Sequence, residues 1–459
     1  MLPMIEPTHI HNNLTGYRAL FRSRPFAMIW IGTLLSLMGD SIGIVAVVTI
    51  VQTLSGHSSL AMTIYYLIRD LVPLFVMIPS GICADRWDQR KIMLWSDLGR
   101  MLIVLGYMFY LLWPSPGLIY IVLIFHVALS SFYYPALQSY IPKVVERPLL
   151  ILANILDNVT YSLVLMVGSA VGGWLLYIGS PLISLTIDSS SYFLSSMITL
   201  ILICKFPLYR RRVDLRCLTD LSADEIALTS QSPPEDSLNP IEPPTLRQLG
   251  LYLREHPDTI WLSLFKSVGN LANGIVNVLS ISYAHHRFTI ASSFSLTISF
   301  GYLVEGFGCF LIPVIVRIMV ENTTAMRKCI LLGFGAMAIG LVCITFAYHI
   351  AIWLVGLFLF SFGNSMIYVF IVTIIQCENP SEIQGRLFAI SYATRAVSHA
   401  IGTVISGLLL DLTQLAPEWI SGTMTVFMIV SFIIWKSTYL PRWIGQNATV
   451  YPNRLPPDS

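Results

Sequence analysis

Residues Gly81-Ile-Cys-Ala-Asp85-Arg86-Trp-Asp88-Gln-Arg90-Lys91-Ile-Met-Leu-Trp-Ser-Asp97-Leu-Gly-Arg100 decide how this chain is read. Five charged side chains crowd between Asp85 and Lys91, with a long apolar run on either side. That is the pattern of a short basic loop joining two membrane spans.

The composition agrees. Of 459 residues, 55% are hydrophobic and only 11% are charged, against roughly 25% charged in a soluble domain. So little charge cannot cover a water-facing surface, which makes lipid the solvent for most of the chain. The net charge of +2 argues against a nucleic-acid partner. Of seven cysteines, six are scattered through apolar runs or their inner ends, none shows metal-ligand spacing, and they read as buried free thiols.

A span needs about 20 apolar residues. Runs of that size lie near 26–54, 59–80, 92–113, 117–140, 150–178 and 182–204, then 259–284, 290–317, 328–347, 351–376, 386–411 and 417–440. Lys and Arg fall on one side. The amino-terminal segment carries Arg18, Arg22 and Arg24, and the loop after span two carries Arg86, Arg90 and Lys91. The alternate turns hold only Arg287. Basic residues stay cytoplasmic, which predicts both termini inside a cell (plasma or inner) membrane. Residues 205–258, rich in proline and poor in aromatics, read as a cytoplasmic linker between halves 1–204 and 259–459, with a short interfacial helix weighed against a plain loop near Thr245–Glu255. The halves look related, because Gly168 to Gly173 in span five answers Gly402 to Gly407 in span eleven. Two six-span repeats with a guest bound between them form a transporter architecture.

The motif Gly81-x-x-Ala84-Asp85-Arg86-x-Asp88-x-Arg90-Lys91, followed by Asp97 and Arg100, resembles the loop 2–3 signature of the major facilitator superfamily. Its enterobactin-exporter and macrolide-efflux branch is the nearest resemblance. Gly39-Asp40-Ser41, Tyr134-Pro135-Ala136, Ala153-Asn154, Asp188 and Gly385-Arg386-Leu387 add to the match. The resemblance implies an all-α membrane protein, with twelve transmembrane helices in two six-helix bundles, a monomer by default. It also assigns Asp85, at the inner end of span two, a gate role against the start of span eleven. Gly81, Arg86, Arg90, Asp97, Arg100, Arg386 and Arg395 are its expected gate partners, with His399 extending the network. Gln89 and Gln384 stand where arginine is frequent, and the turn after span eight has lost most of a second signature copy. The latch is therefore expected to rest on the first half.

Ionisable groups at membrane depth cost at least about 2.5 kcal/mol each, so they mark function. Asp40 is the first candidate for proton coupling, with Asp70 and Glu305 beside it. Arg69 and Asp70 are neighbours roughly 100° apart around their helix, so they cannot simply pair with one another. Span seven carries Lys266, Asn270, Asn273 and Asn277 on one face. By resemblance, spans one, four, seven and ten line a central cavity, which makes that stripe a substrate face. Arg69, His126, Tyr133, Asn364 and Tyr368 are further cavity candidates.

No phosphate loop, metal cluster or nucleophile–base pair is present in the sequence, so neither an enzyme nor a cofactor is expected. The expected function is proton-coupled export of a small amphipathic compound (a drug, siderophore or secondary metabolite) by alternating access. An importer of the same fold and a non-transporting membrane sensor or scaffold are the alternatives.

Overall fold

Apolar runs of this length cannot leave backbone groups unpaired in lipid, so they must satisfy them internally as helices. The computed structural model describes residues 18–145, 149–206, 253–254, 257–319, 323–378, 381–413 and 415–439, and the side chains of some residues within these ranges, Asp85 and Arg386 included, lie outside the described set. Most of the 205–258 linker, with its weighed interfacial helix, also lies outside the described residues.

Twelve long helices follow in order among the described residues. The first half holds α1 (Arg24–Leu54), α2 (Ser59–Arg86), α3 (Gln89–Tyr107), α4 (Pro116–Val144), α5 (Leu150–Ile178) and α6 (Pro181–Lys205). The second holds α7 (Pro257–His286), α8 (Phe294–Met319), α9 (Thr323–Thr345), α10 (Ile350–Glu378), α11 (Ser381–Leu412) and α12 (Pro417–Ile434). Eleven are long and apolar enough to cross a membrane. The twelfth, α7, carries the stripe of Lys266 and three asparagines, which lowers its apolarity.

Local chemistry sets the helix ends. Pro116, Pro181 and Pro417 open their helices, where a missing N–H costs nothing. Ser58, Asp88 and Ser180 accept hydrogen bonds from the first-turn amides of α2, α3 and α6. Helices α2 and α4 run to Arg86 and Val144, beyond the apolar limits at 80 and 140. The hydrocarbon ends where apolarity ends, whereas the backbone ladder continues until a capping residue stops it. Cys204, read as buried, is exposed near the end of α6.

The packing repeats between the halves. Helix pairs α1–α5, α2–α4, α3–α4 and α3–α6 recur as α7–α11, α8–α10, α9–α10 and α9–α12. Gly168 on α5 lies against Ser41 and Met38 of α1, and its counterpart Gly402 on α11 lies against Leu271 of α7. Gly173 meets Ser299 of α8, and Gly407 meets Thr63 of α2. Small residues at matching places let the same pairs of backbones approach. The halves themselves meet along α2–α11 and α5–α8. Exchanging the two halves turns one of these contacts into the other, as a parallel repeat requires.

Candidate functional site

Helix α2 presents Ser59, Thr63, Tyr66 and Asp70 at spacings of four, three and four, which places them on one helix face. That face lies along the second half. Asp411 of α11 sits over the amino-terminal end of α2, taking the Ser58 hydroxyl at 2.5 Å and the backbone N–H groups of Ser59 and Leu60 at 3.0 Å each. A carboxylate there satisfies first-turn donors and the positive end of the helix dipole. One turn further, Thr63 Oγ1 donates to the Thr403 carbonyl at 3.1 Å. Tyr66 and Tyr302 of α8 share a hydroxyl hydrogen bond of 3.1 Å. Deepest, Asp70 Oδ2 meets His399 Nδ1 at 2.5 Å.

His399 also faces α7. Its Nε2 lies 2.9 Å from Asn277 Nδ2, and the same amide nitrogen donates to Asn273 Oδ1 at 3.2 Å. Asp70, His399, Asn277 and Asn273 therefore form one polar line crossing from the first half into the second. With Asn277 donating, Nε2 accepts and Nδ1–H donates to Asp70. When the ring carries a second proton, Asn277 serves it by turning its amide. The Tyr66 ring stands edge-on to the imidazole with 6.1 Å between centres. Tyr302 and Glu305 of α8, Tyr65 and Arg69 of α2, and Arg395 one turn before His399 on α11 are further titratable groups near this line.

Arg69 takes the other direction, as its position one residue from Asp70 requires. Its guanidinium donates to Tyr65 at 3.0 Å and is within electrostatic reach of Asp40 and Tyr161. Tyr161 of α5, 58% exposed, also lies within reach of Arg395 and Cys309 of the second half. Tyr134 of α4, also 58% exposed, is within electrostatic reach of Tyr368 of α10 in the other half, 45% exposed. These exposed tyrosines, in the interior of helices that cross the bundle, mark an open space between the halves. On its second-half side, Lys266 Nζ donates to Ser391 at 2.9 Å and stands 4.3 Å from the Tyr368 ring centre. Asn270 donates to the Lys266 carbonyl at 2.8 Å, and Asn364 lies beside Gly269 of α7. The backbone carbonyl of Glu305 accepts from Ser361 at 2.8 Å, while its carboxylate is partly exposed.

The structure places six of the candidate residues, Arg395 among them, away from their expected positions. Asp97 and Arg100 are not loop gate residues, since they lie roughly 12 and 16 Å along α3 from Gln89. They pair with one another, Asp97 accepts from Ser195 of α6 at 2.6 Å, and the Arg100 guanidinium lies between the Tyr133 and Tyr192 rings at 4.6 and 4.4 Å. His126 and Tyr133 are packed inside the first half rather than lining the cavity. His126 bonds the Tyr192 hydroxyl at 3.1 Å, and Tyr133 bonds Thr33 at 3.0 Å. His399 does not extend the loop network, being roughly 20 Å along α11 from Arg386. Beside the Asp97–Arg100 cluster, Asp188 is 2% exposed and its Oδ1 has no hydrogen-bond partner among the described residues.

At the loop 2–3 end, the described contacts stay within the first half. Arg90 pairs with Asp88 at 2.9 Å and donates to the Phe206 carbonyl at the end of α6. Gln89 donates to the Ala84 carbonyl at 2.6 Å and accepts from Lys143 at 2.9 Å. Burial pushes the Asp88 carboxyl up, but the hydrogen bonds and charge of Arg90 outweigh it and hold it below the usual range. That contribution is present above the carboxyl's unfolded value and is lost as pH falls through the depressed one. Arg86 is exposed, and a Cβ at Gly81 would meet nothing within 4 Å. Arg395, expected at the gate, lies instead roughly 14 Å along α11 from Arg386, where it stacks on Tyr392 at 5.0 Å. The expected contact of Asp85 with Arg386 lies outside the described side chains.

Among the described residues, the hydrogen bonds joining the halves therefore lie toward the loop 1–2 end and hold it closed. Gly56 and His57 make the α1–α2 turn with φ of 62° and 68°, and the His57 ring stands 3.6 Å from that of His285. Replacing Asp411 with Ala removes a helix cap worth about 1 kcal/mol. It should raise the open fraction of this end about fivefold, read as faster thiol labelling of a cysteine placed at Ser282. Unchanged labelling would show that Asp411 does not hold the closure.

Two bundles of six related helices, with a polar seam and an open space between them, are the fold of a membrane transporter. The Major Facilitator Superfamily matches residues 29–403, and the chain belongs to that family. Over 188 residues it is 23% identical to YkuC and 29% identical to YfiS, two uncharacterized MFS-type transporters of Bacillus subtilis (strain 168). These matches cover 41% and 39% of this chain, and it spans less than half the length of those curated relatives, 43% of each. Among solved structures it is similar to a mutant form of the peptide transporter POT, with a TM-score of 0.66 at 14% identity, covering 94% of this chain and 95% of that one. That likeness is one of fold.

Proposed function

We propose that the protein exports a small amphipathic compound in exchange for protons, by alternating access, as a monomer in the cell membrane with both termini cytoplasmic. The cross-half contact of Asp70 with His399 carries the reading. A proton on His399 turns the hydrogen bond from a neutral imidazole to the Asp70 carboxylate into an ion pair, which favours closure of the loop 1–2 end. Loss of that proton on the opposite side weakens the pair and lets the same end open. A difference of about 1.4 kcal/mol between the two states shifts the closed-to-open ratio about tenfold. The cross-half bond of Asp70 supports it over Asp40 as the coupling carboxylate. Asp40 and Glu305, both partly exposed, complete the ionisable lining of the guest site. The outward direction is supported by the resemblance to the enterobactin-exporter and macrolide-efflux branch, and the basic loops on one side support the orientation.

Proteoliposomes holding the full chain, with a trapped pH dye, test this reading. Adding compounds from a panel of dyes, antibiotics and siderophores should move protons opposite to the exported compound. Protons moving with the compound would favour import. No proton movement with any compound would remove the coupling.

A further inference from the structure

We propose that Lys266 and Arg395 form an anion site in the second half that takes the carboxylate of the transported compound. The inference rests on the transporter reading above and adds the charge of the guest. Lys266 is only 4% exposed. Its ammonium has three donors. One reaches Ser391 at 2.9 Å, and the face of Tyr368 covers the group at 4.3 Å. The charge that acts on Lys266 is that of another cation, Arg395. Among the described residues, neither has a carboxylate within salt-bridge distance.

Buried charges are normally paired, because an isolated ion in an apolar interior is costly. Ser391, which Lys266 bonds, lies one turn before Arg395 on α11, so the two cations come near each other at membrane depth with only hydroxyl and ring contacts among the described residues, and an anion between them would offset both. The nearby acids are engaged elsewhere. Asp70 is bound to His399, Asp157 accepts from Gln138 at 3.2 Å, Asp40 acts on Arg69, and Glu305 lies near Tyr66 and Tyr302. A guanidinium fork and an ammonium together suit a carboxylate, which accepts at both oxygens. Tyr368 over Lys266, with Tyr134 of the first half within its electrostatic reach and both rings exposed, supplies an aromatic wall for the rest of the guest. The site therefore selects an organic carboxylate with an apolar body.

The test is thermal unfolding of the purified full chain with naphthaleneacetate, decanoate and fusidate, each beside its amide, and with naphthylethylammonium and decylammonium. At least one carboxylate should raise the unfolding temperature, while the amides and ammonium compounds do not. Lys266→Gln should weaken that carboxylate at least about tenfold, and Lys266→Arg should retain it. Arg395→Gln, read by the same shift, serves if Lys266→Gln does not fold. No shift with any carboxylate, equal shifts with the amides, or unchanged affinity in both glutamine variants would overturn the proposal. The assay contains no proton gradient, so its failure would leave proton coupling standing, and a failure of coupling would leave this result standing.

Discussion

Replacing Asp70 with Asn is expected to reduce pH-driven transport to the level of empty vesicles while leaving the protein folded. Asn keeps the shape of the carboxylate and can still bond His399, so the static cost is about 1 kcal/mol. What it cannot do is form an ion pair when the imidazole gains a proton, because it carries no negative charge. The step that links proton to closure disappears, and exchange of guest at equal pH on both sides should persist. His399→Gln should give the same separation from the other partner. Asp70→Leu is a harsher change, since it leaves His399 facing an apolar group across the seam. Undiminished pH-driven transport in Asp70→Asn would assign coupling to another group, with Asp40 and Glu305 next to be tested.

Truncating Asp97 to Ala should destabilise the protein by about 3–5 kcal/mol, because it leaves the Arg100 guanidinium buried without its carboxylate. Arg100 is 5% exposed and Asp97 is fully buried. The tyrosine rings on either side of Arg100 cannot replace the lost charge, although they contribute cation–π attraction. A paired replacement, Asp97→Leu with Arg100→Met, removes both charges together and should recover much of the loss. Unfolding temperature in detergent and the amount of protein reaching the membrane would both report it. A single variant as stable as the parent would mean that the pair contributes nothing to the first-half core.

The helices were legible because twelve apolar runs of spanning length leave few other folds, and their caps are ordinary serines, prolines and an aspartate. The stripe on α7 was also legible, since asparagines in an apolar run stand out at helical spacing. The matching stripe on α2 was not picked out. Ser59, Thr63 and Tyr66 are common residues in membrane helices, and only Asp70 drew notice. Its partner is 329 residues away in sequence, a distance no local pattern reports. His399, Thr403, Gly407 and Asp411 recur every four residues on α11 and carry the complementary signal. The resemblance put α4 at the cavity without saying which of its residues face it, so His126 and Tyr133 were expected there and instead pack against α1, α3 and α6. Depth was available for Asp97 and Arg100, because counting residues from Gln89 already places them well inside the bundle.

The central claim is that the proton on His399 closes the loop 1–2 end through Asp70. It is tested most directly by measuring the distance between spin labels at Thr53 and Leu412, both exposed beside that end, in a chain whose seven cysteines have been replaced. Mild acidification should increase the short-distance population, raising the pH should increase the long-distance one, and Asp70→Asn should abolish the response. The same pH response in Asp70→Asn, or none in the parent chain, would contradict the account.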